Sequence, residues 1–197
     1  MVATLPLALS TQAADVLPSW NDGPAKKAIV AFVKAVAERG GKSYVPQANR
    51  IATFDQDGTL WVEHPAYAQA MFALDRAGVL APQHPEWKNQ EPFKDWMRII
   101  AVTHAGTATE QFQAIVKEWL AKAKDSRFKR PYTELIYQPM LEVMKYLRAN
   151  GFKTYIVTGG GQELVRVYSD RVYSIQLPRL RRGPRRFSPV APERSSL

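Results

Sequence analysis

The chain has 197 residues, 46% hydrophobic and 23% charged, an ordinary globular balance that supports one buried core with room for an insertion. Cysteine is absent, which excludes a disulfide framework, a thiolate metal site and a cysteine nucleophile, and fits either the cytoplasm or an export compartment. The net charge of +9 is uneven: six arginines (179, 181, 182, 185, 186 and 194) face Glu193 alone between Ile175 and Leu197, which accounts for +5 and leaves +4 for the rest.

Residues 3–14, Ala-Thr-Leu-Pro-Leu-Ala-Leu-Ser-Thr-Gln-Ala-Ala, have the look of the end of a secretory leader, with Thr11 and Ala13 suiting cleavage after Ala13. The first cation is Lys26, so the positively charged start of such a leader is lacking. Residues 1–22 therefore read as a leader remnant of a periplasmic or secreted protein, or as a plain N-terminal extension of a cytoplasmic one. Nothing in the sequence approaches the apolar length that spans a bilayer.

Asp22 and Pro24 make a helix start, Ile29, Val30, Phe32, Val33 and Val36 form its apolar stripe, and Gly40 and Gly41 end it. After a loop through Pro46, Ile51–Phe54 is a short β-favouring run that stops at two carboxylates, Asp55 and Asp57, where Gly58 lets the chain turn. Helical patterns follow near 65–78, 93–104, 108–123 and 133–149, with Thr107 and Glu110 spaced as a capping box. Residues 62–135 hold no convincing strand and read as a helical cap burying its own core. The helix ending at Asn150 closes on Gly151, Lys153–Val157 is a second apolar strand, and Thr158-Gly159-Gly160-Gly161 leads into an amphipathic helix over 162–174. Strand, helix and strand predict a parallel crossover with the chemistry at the strand ends. From 175 to 197 the six arginines and four prolines show no periodicity, and the stretch reads as a disordered basic tail. With Phe187 as its only aromatic ring, the tail lacks the stacking platform of a single-strand binder, and the reading is against a nucleic-acid partner.

An ionised carboxylate at a strand end can attack phosphorus and split a hard hydrolysis into two displacements, a role that fits Asp55. A second carboxyl two residues on can protonate the leaving oxygen and later take a proton from water, a role that fits Asp57, whose pKa the Asp55 charge should raise. The transferring group calls for a hard cation such as Mg²⁺, to which Asp55 offers a carboxylate oxygen and Asp57 a main-chain carbonyl. Thr158 offers a hydroxyl, and Gly159 and Gly160 offer unobstructed N–H groups for phosphate. Glu63 with His64, and the basic group Arg127, Lys129 and Arg130, read as solvated loops, and His84 and His104 as cap residues without metal spacing.

Phe54-Asp55-Gln56-Asp57-Gly58-Thr59-Leu60 and Ile156-Val157-Thr158-Gly159-Gly160 resemble the first and second motifs of the haloacid dehalogenase-like hydrolase superfamily, and the insertion between them resembles the cap of its phosphoserine-phosphatase-like branch. The resemblance spans roughly residues 45 to 175. It implies an α/β, Rossmann-like parallel sheet with a helical cap, the core at 23–61 and 136–174 and the cap at 62–135. It also implies a Mg²⁺-dependent hydrolase of small phosphate monoesters, with Asp55 as nucleophile, Asp57 as acid and base, both aspartates at the metal, and Thr158 with Gly159 and Gly160 at the phosphate. The family pattern continues with a lysine and an acidic pair on a later strand beside the first. Here no lysine follows Lys153, and the acids after Thr158 are Glu163, Asp170 and Glu193, so the core reads as truncated after the second motif. Two alternatives stay open: a truncated, non-catalytic chain that binds phosphate or a partner, and a hydrolase of carbon–halogen bonds, against which Asp57 argues. The sequence leaves the substrate's identity and the oligomeric state open.

Overall fold

The runs Ile51–Phe54 (β1) and Lys153–Thr158 (β2) lie side by side as parallel strands in the computed structural model, in a register that pairs Ile51 with Lys153 and Phe54 with Ile156. The structure describes residues 15–85, 103, 106–175 and the backbone of 180–182. Both strands therefore end at one edge of the sheet, and that edge carries Asp55 and Thr158. The α/β architecture expected from the sequence is the one observed.

Helix α1 (Pro24–Ala37) opens with proline in its first turn, where the missing N–H costs nothing, and buries Val33 and Val36. Phe32, expected on the same stripe, is 58% exposed, because the inward face follows the spacing Ile29, Val33 and Val36. The buried Arg50 guanidinium then bonds the carbonyls of Val45 (2.8 Å), Asn150 (2.8 Å) and Ala37 (3.4 Å), so it ties the approach to β1 to the ends of two helices.

Residues 15–22, assigned above to a leader remnant, are part of the packed fold. Leu17 is fully buried in the main core, the Ser19 N–H and hydroxyl donate to the Glu142 carboxylate at 2.9 and 2.6 Å, and Trp20 Nε1 donates to the Pro139 carbonyl at 2.9 Å. The leader-like residues 3–14 lie outside the described residues.

Between the strands run α2 (Ala68–Leu80), α3 (Thr109–Lys122) and α4 (Gln138–Ala149), close to three of the four expected helices. The helix expected at 93–104 falls outside the described residues except for Thr103, which is helical and buried, and His104 is also outside them. Helix α4 begins later than expected: Tyr132–Glu134 forms a tight 3-10 turn, and Pro139 takes the first turn of the helix, where proline is tolerated. The capping box does not form, since α3 is capped by Ala108 without a side-chain bond and the Thr107 hydroxyl faces Arg76.

Among the described residues the insertion shares the main core, apart from Ala73 and Ala77, which form a small separate buried cluster. Phe72, Phe112, Val116 and Leu120 join Phe54, Trp61 and Ile156 in one hydrophobic cluster. Phe72 meets Phe112 and Trp119 edge-on at 5.7 and 5.4 Å, and Trp119 stacks on Tyr132 at 4.9 Å. Each of the fully buried aromatic side chains contributes about 2 to 3 kcal/mol of burial, so helices and strands are fused by more than loop connections.

After β2 the expected single helix is two short ones, α5 (Gln162–Arg166) and α6 (Ser169–Tyr173), broken at Tyr168. Tyr168 and Tyr173 are both nearly fully buried. Residues five apart on an unbroken helix point about 140° apart, so the break is what turns both rings inward. Leu180–Arg182 (β3) then pairs in parallel with β2, giving the sheet order β1-β2-β3. These three residues had been assigned to a disordered tail; a ladder is made by backbone groups, and charged residues are common on edge strands. The rest of the arginine-rich stretch lies outside the described residues.

Candidate active site

Asp55 is the first residue past β1 and is exposed, with Oδ1 accepting the Gln56 N–H at 2.7 Å. The next turn is closed by its own backbone: the Gln56 carbonyl accepts the N–H groups of Leu60 and Trp61 at 3.0 Å each, and the Gly58 N–H donates to the Trp61 carbonyl at 2.8 Å. Gly58 is required here, with φ +74 and the Glu63 carboxylate 2.6 Å from where a Cβ would stand. Beneath the turn, Gln56, Leu60 and Trp61 are buried, so Asp55 and Asp57 flank a residue rooted in the core. The Gln56 amide donates to the Tyr173 hydroxyl at 3.0 Å.

Burial pushes the Asp57 carboxyl up to about 6, and the neighbouring Asp55 and Glu63 charges act in the same direction. Burial likewise raises the phenols of Tyr168 and Tyr173, with Asp57 among the charges that each feels. Asp57 thus shares its neighbourhood with two buried phenols and two further carboxylates. Gln56 Oε1, Trp61 Nε1 and Tyr168 Oη are buried in the same region with no hydrogen-bond partner among the described residues.

At the end of β2 the Thr158 side chain is buried, and its Oγ1 accepts the Gly160 N–H at 3.0 Å. The Gly161 N–H donates to Gln69 Oε1 at 2.7 Å, across 92 residues of sequence. A single point measures the assembly: the place where a Cβ on Gly160 would stand is 2.9 Å from Gln69 Oε1, 3.4 Å from Thr158 Oγ1 and 4.0 Å from Asp57 Oδ2. The structure therefore brings Asp57, Thr158 and Gly160 around one small space, with Asp55 on the strand end beside it. Two backbone donors of the turn are already engaged, Gly160 by Thr158 and Gly161 by Gln69, while a Cβ on Gly159 would meet nothing within 4 Å. A second bond from the insertion reaches the helix that follows, Gln113 Nε2 to Glu163 Oε2 at 2.8 Å, and Glu163 also pairs with Arg166.

Glu63, read above as half of a solvated loop pair, covers Gly58 and acts on Asp57, while His64 beside it is exposed. Its position two residues past Trp61 could have been recognised from the tightness that Gly58 imposes. Gln69, Gln113, Tyr168 and Tyr173 were missed, and only the helical spacing of the first two hinted that they face the core. Arg127 lies over the Phe128 ring and Arg130 pairs with Glu134 at 3.1 Å. Asp55 and the Asp57 carbonyl are hard oxygen donors of the kind Mg²⁺ takes in small number while keeping waters and phosphate oxygens. Among the described residues no group of three His, Cys, Asp or Glu side chains is arranged to hold a metal ion. No helix among them is long and apolar enough to cross a membrane.

The model of one protein family, described as a haloacid dehalogenase-like hydrolase, matches residues 50–171. That span runs from the residue before β1 into α6 and takes in both strand ends and the helices between them. No curated protein matches the chain.

Proposed function

The chain belongs to the haloacid dehalogenase-like hydrolase family, and from that premise we propose that it is a Mg²⁺-dependent phosphatase of small phosphate monoesters, working through an aspartyl-phosphate. The observation that carries this reading is the shared space beside Gly160, within 4.0 Å of both Asp57 Oδ2 and Thr158 Oγ1, at the edge where β1 delivers Asp55. A dehalogenating site has no use for the second carboxyl at that place.

An oxygen of Asp55, exposed and one residue past the strand, attacks phosphorus. The new oxygen–phosphorus bond forms as the bond to the ester oxygen breaks, and the leaving alkoxide takes the proton of Asp57. With its carboxyl pushed up to about 6, Asp57 carries that proton in a useful fraction of molecules near neutrality, which an ordinary aspartate would not. The ionised Asp57 then takes a proton from water, whose oxygen attacks phosphorus and releases inorganic phosphate, restoring both carboxyls. Thr158 Oγ1 and the open backbone at Gly159 face the non-bridging oxygens. Asp55 and the Asp57 carbonyl would hold Mg²⁺, which supplies positive charge against the phosphoryl oxygens. The helix after the turn has only five residues, so the donors nearest the phosphate matter more than its dipole.

The test is hydrolysis of an aryl phosphate with and without Mg²⁺. The expected outcome is Mg²⁺-dependent turnover that Asp55→Asn abolishes; unchanged turnover in that variant rejects the nucleophile. A folded chain that binds inorganic phosphate without turnover supports the non-catalytic reading instead.

A further inference from the structure

Neither Gly160 nor Gly161 takes a left-handed φ, so backbone conformation does not explain glycine at either position. Gln69, in the first turn of α2, does. A Cβ on Gly160 would stand 2.9 Å from its Oε1 and one on Gly161 2.6 Å from its Nε2, so the carboxamide holds ground that a side chain at either position would claim. The Gly161 N–H, donating to Oε1 at 2.7 Å, sets the orientation of the amide and leaves that oxygen a second lone pair. Gln69 therefore turns an acceptor toward the space beside Gly160. The other two atoms nearest the same point are oxygens as well, Thr158 Oγ1 at 3.4 Å and Asp57 Oδ2 at 4.0 Å. Thr158 Oγ1 accepts the Gly160 N–H and keeps its own proton to donate, whereas the Gln69 oxygen can only accept. A carboxamide oxygen and a carboxylate oxygen at one space suit a small molecule that donates two hydrogen bonds.

We infer that Gln69 orients the water that hydrolyses the aspartyl-phosphate: one water proton bonds to Asp57 Oδ2 and the other to Gln69 Oε1. The inference rests on the phosphatase reading and gives its second displacement a residue of its own. As the water oxygen bonds phosphorus, the bond from phosphorus to the Asp55 oxygen breaks, the Asp57 carboxylate takes one proton, and the proton held at Gln69 leaves on the released phosphate. Holding both protons aims a lone pair of the water oxygen at phosphorus. The first displacement uses no water, so Gln69 has no part in it. Gln113, which bonds Glu163 from α3, braces the neighbouring helix without reaching that space and provides the control.

The test is rapid-quench hydrolysis of a phosphorus-labelled aryl phosphate by the full chain with Mg²⁺, which reads phenol release, labelled protein and phosphate release separately. Gln69→Met keeps the length of the side chain and removes its oxygen, and Gln69→Ala removes it by truncation. Both should release the first equivalent of phenol within about threefold of the unmodified rate, then accumulate labelled protein and lose about tenfold or more in phosphate release. Gln69→Glu restores an oxygen acceptor and should return phosphate release to within about threefold, while its added charge raises KM. Gln113→Ala should stay within about twofold in every phase. Equal slowing of both phases in Gln69→Met, no accumulation of labelled protein, or a Gln69→Glu chain as slow as Gln69→Met overturns the inference. A Gln69→Met defect cured by raising Mg²⁺ also overturns it, because the oxygen would then serve the cation. If Asp55→Asn abolishes labelling and turnover while Gln69→Met behaves as the unmodified protein, the phosphatase reading stands and this inference fails. If the unmodified chain neither becomes labelled nor releases phenol, both fail.

Discussion

Asp57→Asn should make the protein more stable near neutral pH. The rise of the Asp57 carboxyl from 3.8 to about 6 means that the fold disfavours its ionised form, chiefly through burial and then through Asp55 and Glu63. At about 1.4 kcal/mol per tenfold this corresponds to about 3 kcal/mol, reduced to about 2 kcal/mol because solvent still reaches part of the residue. A carboxyl raised in the folded state favours folding while protonated: the benefit is complete below pH 3.8 and is lost as pH rises through about 6. Asparagine keeps the shape and removes the charge, so the variant should gain about 2 kcal/mol at about pH 7.5 and almost nothing near pH 4. Urea unfolding of both chains across that range, in EDTA to exclude divalent cations, measures the difference. A variant no more stable than the unmodified protein at about pH 7.5, or a gain that does not shrink on acidification, refutes the account of a desolvated carboxyl raised further by Asp55 and Glu63.

Gly58→Ala forces a side chain into φ +74 against the Glu63 carboxylate and should destabilise by about 1 to 3 kcal/mol, seen as a lower Tm; an unchanged Tm would show that the turn relaxes freely. Leu17→Ala removes a fully buried side chain and should cost about 2 to 5 kcal/mol in urea unfolding. A cost below about 0.5 kcal/mol would mean that residues 15–22 do not belong to the cooperative core.

The aspartate turn was legible because its parts are adjacent: an apolar strand, two carboxylates and a glycine needing positive φ all lie between Ile51 and Gly58. The parallel pairing was legible from Lys153–Val157 running into a glycine turn. What sequence did not reveal lies in contacts made across long separations. Gln69 and Gly161 are 92 residues apart, and Ser19 and Glu142 are 123 apart, with no local signal for either. Composition misled at both ends of the described chain: Leu17 resembles leader sequence yet fills the core, and the arginines of β3 suggest disorder although a ladder needs only backbone. The periodicity over 162–174 fitted one helix, but burying Tyr168 together with Tyr173 required a break.

The turn after β2 and the helix that follows it are fastened from two separate helices, by Gln69 and by Gln113, the latter 50 residues before its partner. Closing such wide loops costs chain entropy before any contact returns it. During synthesis the Asp55 carboxylate emerges roughly a hundred residues ahead of Thr158, and the pocket gains its shape only when both helices and both strands have met. A partly melted chain therefore holds every reacting group and none of their arrangement.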